Sequence, residues 1–442
     1  MIDVAMIDED QRTTVLMKNR REFLRAAGSS LVVGSVIHSP ALATVTAAES
    51  DDEVSFTKWY DVDRSITNLE NAYWNVMAKP VADEYFRKLT YVNRRNVPFV
   101  RGVIPGESLP VELGKVRASV AKLINAEVDE IAITRCGTES LQDLISGYNR
   151  LKPGDRIIFC DLDYDSMQNT MLFLKERRGI EVVTFTIPEP ATTSNILAVY
   201  GDVLRKTPNA KLMLVTHLCH RTGLVNPVKE IIALAREHGV TCILDTAQAV
   251  GQMPVDIKEI DADFAGFSLH KWIGAPLGTG AVYIRKSRLN EIEPCLGNSE
   301  DPVDDINSRI YPGTYNFAAT LTIPTAIDFH NQLTVERKRD RLQYLRNYWV
   351  SRVREIDGVE ILTPDDPARY GATTSFRLKG MKSFEQAKKV QDLLLAKYDI
   401  LTVARKGITQ GAAVRVTPAL YNTTVDVDKL VLAIKQEHAM LQ

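Results

Sequence analysis

Short apolar runs and amphipathic stretches alternate through the middle of the chain. Within residues 115–125, the helical spacing of Val116, Val120, Leu123 and Ile124 predicts a helix. Short apolar runs bounded by turn residues predict buried strands. These runs lie at residues 131–133, 157–162, 182–187, 212–217, 241–244 and 281–284. Strands that alternate with helices favour a mostly parallel sheet that is covered by helices on both faces.

One of the intervening helices carries signals at both ends. Asn226 is suited to cap its start, Pro227 to occupy its first position, and Gly239 to stop it. Near residue 310 the pattern changes to longer amphipathic helices and a few strands, which is typical of a smaller α+β domain. The helices are predicted at residues 323–338 and 342–355, and the strands at residues 371–377 and 412–417. We expect the domain boundary near residues 305–325.

The composition is that of a globular protein with two or three packed units. The chain has 442 residues, of which 45% are apolar and 25% are charged, so a large core is available. Its net charge of −2 gives no sign of nucleic-acid or anionic-membrane binding. No apolar run is long enough for a membrane-spanning helix. The five cysteines contain no CxxC pair, which disfavours a structural zinc site and a disulfide framework.

The N-terminal region reads as an export signal. Twin arginines, Arg20 and Arg21, precede a weakly apolar stretch and an A-x-A site at residues 41–43. This pattern predicts a twin-arginine (Tat) leader, the Tat machinery as a partner, and a periplasmic location. An amphipathic helix that happens to hold two arginines is the alternative. Because acidic residues precede the motif, Met17 is an alternative translation start to Met1.

Two segments in the middle of the chain carry candidate chemistry. Asp245 ends an apolar strand, where the ligands of parallel sheets bind, although such an aspartate is more often a turn residue. Twenty-six residues later, Lys271 follows Phe267 and Leu269 and precedes Trp272. Apolar surroundings lower the pKa of a lysine and suit it to Schiff-base chemistry. A surface lysine is the common alternative, but surface loops rarely hold so many aromatic residues.

A third segment predicts a phosphate site. A strand-like run ends near Thr134, and Gly137 and Thr138 lead into an apolar helix. A strand, a glycine-containing turn and a helix N-terminus together form a good cradle for phosphate, because backbone N–H groups converge there. Alone this signal is weak, but its order relative to Asp245 and Lys271 strengthens it.

Taken together, these segments resemble the class V aminotransferase family of fold-type I pyridoxal phosphate (PLP) enzymes, over residues 68–432. The family includes cysteine desulfurases, kynureninase and isopenicillin N epimerase. The epimerase-like branch is the most similar, through residues 163–167, 312–314 and 421–423. An exported member of that branch acts in siderophore (pyoverdine) maturation, and the leader makes this chain similar to it.

This resemblance implies an α/β fold, with a large domain built on a mostly parallel seven-stranded sheet and a small C-terminal α+β domain. The expected divisions are the leader at residues 1–43, an N-terminal arm at 44–70, the large domain at 71–310 and the small domain at 311–442. It also implies PLP as the cofactor, a homodimer, and a small-molecule amino acid or peptide as substrate, with no metal, nucleic acid or stable membrane anchor.

The resemblance assigns roles around the cofactor. Lys271 would carry PLP and move the proton at the substrate α-carbon, while Asp245 would pair with the pyridine nitrogen. Gln248 would bind the ring hydroxyl oxygen, Tyr164 would stack on the ring, and His217 would lie nearby, although wall packing is the alternative for the last two. The phosphate would be held by Gly137, Thr138, Ser268 and His270, and by Gly313 and Thr314 of the neighbouring subunit.

The substrate side is less completely assigned. Arg415 matches the arginine that binds the substrate carboxylate, since its planar fork suits bidentate pairing. His220 and Arg221 stand where desulfurases carry an asparagine, so they are either substrate contacts or part of a solvated turn. Residues 402–411 hold no cysteine, which disfavours sulfur transfer through a persulfide. Arg405 and Lys406 in this loop are solvated, or they bind a second acidic group.

Three classes of function remain open. Transamination is favoured, epimerisation needs a second acid or base that the sequence does not locate, and a carbon–sulfur lyase remains an alternative. A PLP-binding regulator is disfavoured because no DNA-binding domain is evident.

Overall fold

The computed structural model describes residues 53–299 and 301–441. The expected leader and the first part of the arm lie outside these residues. The strands, in chain order, are β1 (Thr67–Asn68), β2 (Ile131–Thr134), β3 (Arg156–Cys160), β4 (Glu181–Phe185), β5 (Ala210–Thr216), β6 (Thr241–Asp245), β7 (Phe264–Ser268), β8 (Gly280–Ile284), β9 (Val359–Ile361), β10 (Thr374–Leu378), β11 (Ile400–Leu401), β12 (Val403–Arg405) and β13 (Ala413–Val416).

The helices surround these strands. They are α1 (Lys79–Val100), α2 (Leu109–Leu123), α3 (Gly137–Gly147), α4 (Asp165–Arg178), α5 (Thr193–Lys206), α6 (Val228–Glu237), α7 (Ile257–Ile260), α8 (Phe317–Leu333), α9 (Val335–Val353), α10 (Phe384–Tyr398) and α11 (Thr424–Leu441). The structure therefore confirms the predicted alternation of strands and helices between residues 131 and 284.

A seven-stranded sheet forms the centre of the larger part. Its strand order is β2-β8-β7-β6-β5-β3-β4. Only β8 runs against its neighbours, β2 and β7. Apart from the edge strand β4, the strands are mostly buried on both faces, as their continuous apolar runs predict. The expected mostly parallel seven-stranded sheet is confirmed, and its parallel strands all end at one edge.

The smaller sheet is antiparallel and has the order β12-β13-β10-β9. Its core includes Trp349, Phe376 and Leu430. The long helix α9 contributes to both cores, because Leu342 packs with the large one and Trp349 with the small one. The domain limits expected from the sequence stay a prediction.

The described part of the expected arm is packed against the rest of the protein. Residues 53–57 are helical, and Phe56 is fully buried in the large core. Strand β1 then pairs in parallel with β11. The backbone N–H of Thr417 donates to the carbonyl oxygen of Leu69 (2.7 Å). These contacts hold residues 67–75 beside the carboxyl ends of the sheet strands.

Two local expectations differ from the structure. The long helices separate at Thr334, earlier than predicted, because Thr334 has a φ of 58° and its hydroxyl caps α9 by accepting from the N–H of Arg337. Asn226 does not cap α6. Its side-chain amide donates to the carbonyl oxygen of Thr216 (2.7 Å) instead, and Pro227 occupies the cap position. Gly239 follows the helix with a φ of 68°, as its predicted stop role requires.

Among the described helices, none is both long and apolar enough to cross a bilayer. Within the same residues, no group of three or more potential ligands is arranged to hold a metal ion.

Candidate active site

The carboxyl ends of β5, β6 and β7 border a cavity of about 410 Å³. Because these strands are parallel and adjacent, Thr216, Asp245 and Ser268 meet at one edge of the sheet. The turn after β2 brings Gly137 and Thr138 to the same cavity, and the small sheet contributes Arg405 and Arg415. Residues far apart in the chain therefore converge where open parallel sheets bind their ligands.

Lys271 lies in the turn after β7 and faces this cavity. Burial lowers the pKa of its amine to about 8. The negative charge of Asp245 opposes this shift, and the positive charge of Arg415 adds to it. A lowered pKa increases the fraction of the lysine that is neutral, and therefore nucleophilic, near neutral pH. Its position and its electrostatics both suit Schiff-base formation.

Asp245 supplies a buried carboxylate at the end of β6. Its Oδ1 accepts from the N–H of Ala247 (3.0 Å), and only 6% of the residue is exposed. Burial raises its pKa, although the hydrogen bond from Ala247 and the charge of Lys271 act against the shift. A carboxylate destabilised in this way gains from a cationic partner, and the protonated pyridine nitrogen of PLP is such a partner.

A cradle for an anion forms at the start of α3. The N–H of Gly137 donates to Ser268 Oγ (3.0 Å), and no side chain caps the helix. Gly137 and Thr138, the first residues of α3, line the cavity, so the N-terminus of this helix lies beside it. Gly280 permits this close packing, since a Cβ there would lie 2.6 Å from the backbone of Cys136. The arrangement fits a phosphate.

His270 completes the cradle with a defined tautomer. Its Nδ1 lies 2.9 Å from the carbonyl oxygen of Thr279, so Nδ1 carries a hydrogen and Nε2 is an acceptor in the neutral ring. Burial lowers its pKa to about 4. Donation from Nε2 requires the protonated ring, which a phosphate dianion favours through its charge.

Tyr164 and His220 form one wall of the cavity. Their rings meet edge to face with centroids 5.1 Å apart. Asp163 fixes the preceding turn, because it accepts from the Thr216 hydroxyl (2.6 Å) and from the N–H of Cys160 (2.7 Å). Burial lowers the pKa of His220 to about 3, so its ring is neutral at physiological pH.

Arg415 is nearly fully buried at the substrate end, with 1% of its surface exposed. Its Nη2 donates to both carboxylate oxygens of Glu70 (2.5 and 2.6 Å), and its Nη1 donates to the His220 carbonyl oxygen (2.6 Å). Arg405 lines the same cavity, with its Nη2 3.9 Å from Glu70. Two guanidinium groups thus lie beside one internal carboxylate, so the three side chains carry a net positive charge that can attract a substrate carboxylate.

Most of the predicted site residues meet in this cavity. Its lining includes Gly137, Thr138, Tyr164, His220, Asp245, Gln248, Ser268, His270, Lys271 and Arg415. His217 is buried behind it, with Nδ1 3.2 Å from the Thr246 hydroxyl, and it lines a separate cleft. Gly313 and Thr314 are not part of the lining, and their role in a neighbouring subunit stays a prediction.

Arg221 corrects both interpretations of its turn. The side chain is 1% exposed, so it is not solvated, and it does not line the cavity. Its guanidinium pairs with Asp165 and donates to the carbonyl oxygens of Asp161 and Gly407. The loop at residues 402–411 covers it. Arg221 therefore ties this loop to the start of α4 through its Nη1 and Nη2 donors.

Some lining residues were not assigned from the sequence. Ala72 and Tyr73 come from the N-terminal segment, and Arg135 and Cys136 from the turn before α3. In the sequence, the adjacent aromatic residues Tyr73 and Trp74 were the signal that could have marked the N-terminal segment. Arg135 pairs with Glu139 (2.7 Å), four residues later on α3.

Comparison with known proteins places the chain in a family. The sequence profile described as Aminotransferase class-V matches residues 105–430. A probable cysteine desulfurase from Methanothermobacter thermautotrophicus is 28% identical, over 72% of this chain and 82% of its own length. An isopenicillin N epimerase from Streptomyces clavuligerus is 27% identical, over 74% of this chain and 84% of its own. Both types match about equally well, so the reaction stays open.

Solved structures share the fold. A cysteine desulfurase from Thermococcus onnurineus NA1 matches with a TM-score of 0.74 at 20% identity, covering 92% of this chain and 100% of its own. The cystine C–S lyase C-DES matches with a TM-score of 0.71 at 20% identity, covering 84% of this chain and 97% of its own. Another C-DES structure holds glycine covalently linked to PLP. The fold-type I architecture expected from the sequence is confirmed.

Proposed function

This chain belongs to the class V aminotransferase family, and we propose that it uses its PLP cofactor to act on the amino group or α-carbon of an amino acid or peptide, by transamination. The observation that carries this proposal is one cavity that combines Lys271, Asp245 and Arg415. A nucleophilic amine, an anionic partner for the pyridine nitrogen and a carboxylate receptor are the groups that such chemistry requires.

Each group has a defined task in this proposal. Bound PLP supplies a sink for the electrons left at the α-carbon. Lys271 holds the cofactor and then moves the α-proton, for which a pKa of about 8 is well matched to physiological pH. Asp245 holds the pyridine nitrogen in its protonated form. Arg415 orients the substrate through its carboxylate, which binds beside Glu70 or in its place.

The positions of the cysteines support this reaction over persulfide chemistry. All five cysteines are unpaired thiols. Only Cys136 lines the cavity, and it precedes the phosphate cradle rather than lying near Arg415. The loop at residues 402–411 holds none. A carbon–sulfur lyase or an epimerase needs no such thiol, so both remain outcomes of the test.

We further propose a homodimer in which a partner completes the cofactor site. Tyr73 and Leu277 line the cavity yet remain 68% and 54% exposed, and Tyr311 beside the predicted Gly313 turn is 50% exposed. Large apolar side chains around a cavity mouth favour burial by another chain. Sedimentation velocity should give twice the chain mass, and a monomer with full PLP affinity would contradict the dimer.

The leader motif supports export by the Tat route, and a role in siderophore maturation is the proposed context. Replacing Arg20 and Arg21 by Lys should retain the folded protein in the cytoplasm. Cell fractionation tests this directly, and normal export of the double variant would refute the localisation.

The function itself is tested on the purified PLP protein. Candidate amino donors, including glutamate and siderophore precursor peptides, are added while absorbance and mass report the state of the cofactor. Conversion to pyridoxamine phosphate, with release of an oxo product, establishes transamination. An unchanged cofactor with deuterium exchanged into the α-carbon indicates epimerisation, and release of a sulfur product indicates the lyase.

A further inference from the structure

Trp272 is buried next to Lys271 but does not line the cavity. Its indole Nε1 donates to Gln248 Oε1 (2.9 Å). Gln248 does line the cavity, and its Nε2 donates to the carbonyl oxygen of Ala72 (2.9 Å). The indole N–H of Trp272 therefore reaches the cofactor site through the side-chain amide of Gln248.

These two contacts fix which way the amide points. An indole N–H only donates, and a backbone carbonyl oxygen only accepts. The amide oxygen must therefore face Trp272, and the amide nitrogen must face Ala72. A flipped amide would set two donors against each other at Trp272 and two acceptors at Ala72. Since the nitrogen carries two hydrogens and Ala72 takes one, a second N–H remains for the cavity.

We propose that Trp272 is a positioning residue that makes Gln248 present a donor, not an acceptor, to the ring oxygen of PLP. This inference rests on the proposed function, in which Gln248 binds that oxygen. A donated hydrogen bond stabilises the ionised ring oxygen, whereas a carbonyl acceptor favours its protonated form. The side chain after the cofactor lysine thus tunes the charge distribution of the cofactor without touching it.

The backbone of Trp272 is held independently of the cavity. Lys338 Nζ donates to the Trp272 carbonyl oxygen (2.8 Å) and lies 2.9 Å from His330 Nδ1. Replacing the indole by a phenyl ring should therefore leave the turn in place. Trp349 offers a matched contrast, because its Nε1 is buried without a hydrogen-bond partner in the described structure and packs in the small core.

The test compares four purified holoenzymes with the wild type: Trp272→Phe, Gln248→Leu, the double variant, and Trp349→Phe. The readout is the ratio of the near-ultraviolet band of the bound cofactor (ring oxygen protonated) to its yellow band (ring oxygen ionised). We expect Trp272→Phe to raise this ratio by about fivefold, the effect of roughly one hydrogen bond. Gln248→Leu should raise it as well, and the double variant no further than Gln248→Leu alone. Trp349→Phe should leave it unchanged.

The outcomes separate this inference from the function on which it rests. If Gln248→Leu shifts the ratio and Trp272→Phe does not, or if their effects add fully, only the positioning role fails. If neither variant shifts a cofactor that is bound, the assignment of Gln248 fails together with the inference. A wild-type protein that binds no PLP would overturn the proposed function.

A second measurement needs no substitution at Trp272. In protein labelled with ¹⁵N-tryptophan, Gln248→Leu assigns the Trp272 indole signal by displacing it. Addition of PLP to the apoprotein should then shift that signal and slow its hydrogen exchange. If PLP binding changes neither the shift nor the exchange rate of the Trp272 indole signal, the proposal is wrong, even if Trp272→Phe fails to fold.

Discussion

Two buried lysines lie close together and differ in what surrounds them. Lys271 faces a cavity beside Asp245 and Arg415, and burial lowers its pKa to about 8. Lys338 on α9 is only 4% exposed, and burial lowers its pKa further, to about 7. Yet Lys338 donates to the Trp272 carbonyl oxygen and contacts the neutral ring of His330. The more perturbed lysine is the structural one.

This difference shows that a lowered pKa does not by itself identify a catalytic lysine. Desolvation acts on any buried amine, whether or not a ligand can reach it. Lys271 is distinguished by space for a ligand and by the charged side chains of Asp245 and Arg415 beside it. Lys338 lacks both, since it lines none of the described cavities and forms no ion pair among the described residues. Its task is to hold the turn that presents Lys271.

The largest expected effect comes from exchanging the two lysines for residues without an amine. Lys271→Ala should abolish the covalent PLP adduct and lower activity by about 10⁴-fold or more, because attachment and proton transfer are both lost. Lys338→Met, the control, should keep the adduct. Borohydride reduction followed by peptide mass spectrometry locates it. An adduct on Lys338 in the Lys271→Ala protein would break the comparison.

The charged neighbours of Lys271 provide the next test. Arg415→Met should weaken apparent substrate affinity by roughly 30- to 5,000-fold, since truncating a buried charged partner costs about 2–5 kcal/mol, while kcat changes less. A double variant that combines Arg415→Met with Glu70→Gln avoids leaving the Glu70 carboxylate buried without Arg415. Arg377→Met is the control, because Arg377 is equally buried but pairs with Glu189 away from the cavity. Unchanged substrate affinity in the Arg415 variant would exclude it as the carboxylate receptor.

The sequence predicted the groups that sit at strand ends. Asp245 could be predicted because an apolar strand followed by an acid marks the ligand edge of a parallel sheet. Lys271 could be predicted because its apolar neighbours, among them Phe267 and Trp272, suit a lysine that must lose its proton. The same reasoning located Gly137 and Thr138, since a strand, a turn and a helix start form a local unit.

Contacts between distant segments escaped prediction. Glu70 and Arg415 form an ion pair although they are 345 positions apart in the sequence, and no local pattern predicts such a pair. The sequence left Arg221 as either a substrate contact or a residue of a solvated turn, but the loop at residues 402–411 covers it. The bond between Trp272 and Gln248 likewise depends on how two turns pack. Local periodicity predicts elements and their ends, while tertiary packing decides which polar groups meet.

A smaller effect concerns the pH dependence of cofactor attachment. The neutral amine of Lys271 is the nucleophile, and with a pKa of about 8 its population falls about tenfold for each pH unit below 8. We expect the rate of PLP attachment to apoprotein to rise with pH up to about 8 and then level off. Stopped-flow absorbance measures this rate. A rate that keeps rising toward pH 10 would indicate an amine that is not desolvated.

The smallest expected effect is on stability, through Lys338. Its pKa is lowered from 10.5 to about 7, so between these pH values the unfolded chain binds more protons than the folded one. The free energy of unfolding of the wild type should therefore gain up to about 1.4 kcal/mol per pH unit in this window from Lys338. Lys338→Met removes that contribution, so its stability relative to wild type should be greatest at pH 7 and should decline toward pH 10. Denaturant unfolding of both proteins at several pH values measures this, with the exposed Lys379→Met as control. A difference that does not change with pH would mean that Lys338 keeps its proton on folding, and the contrast with Lys271 would then rest on position alone.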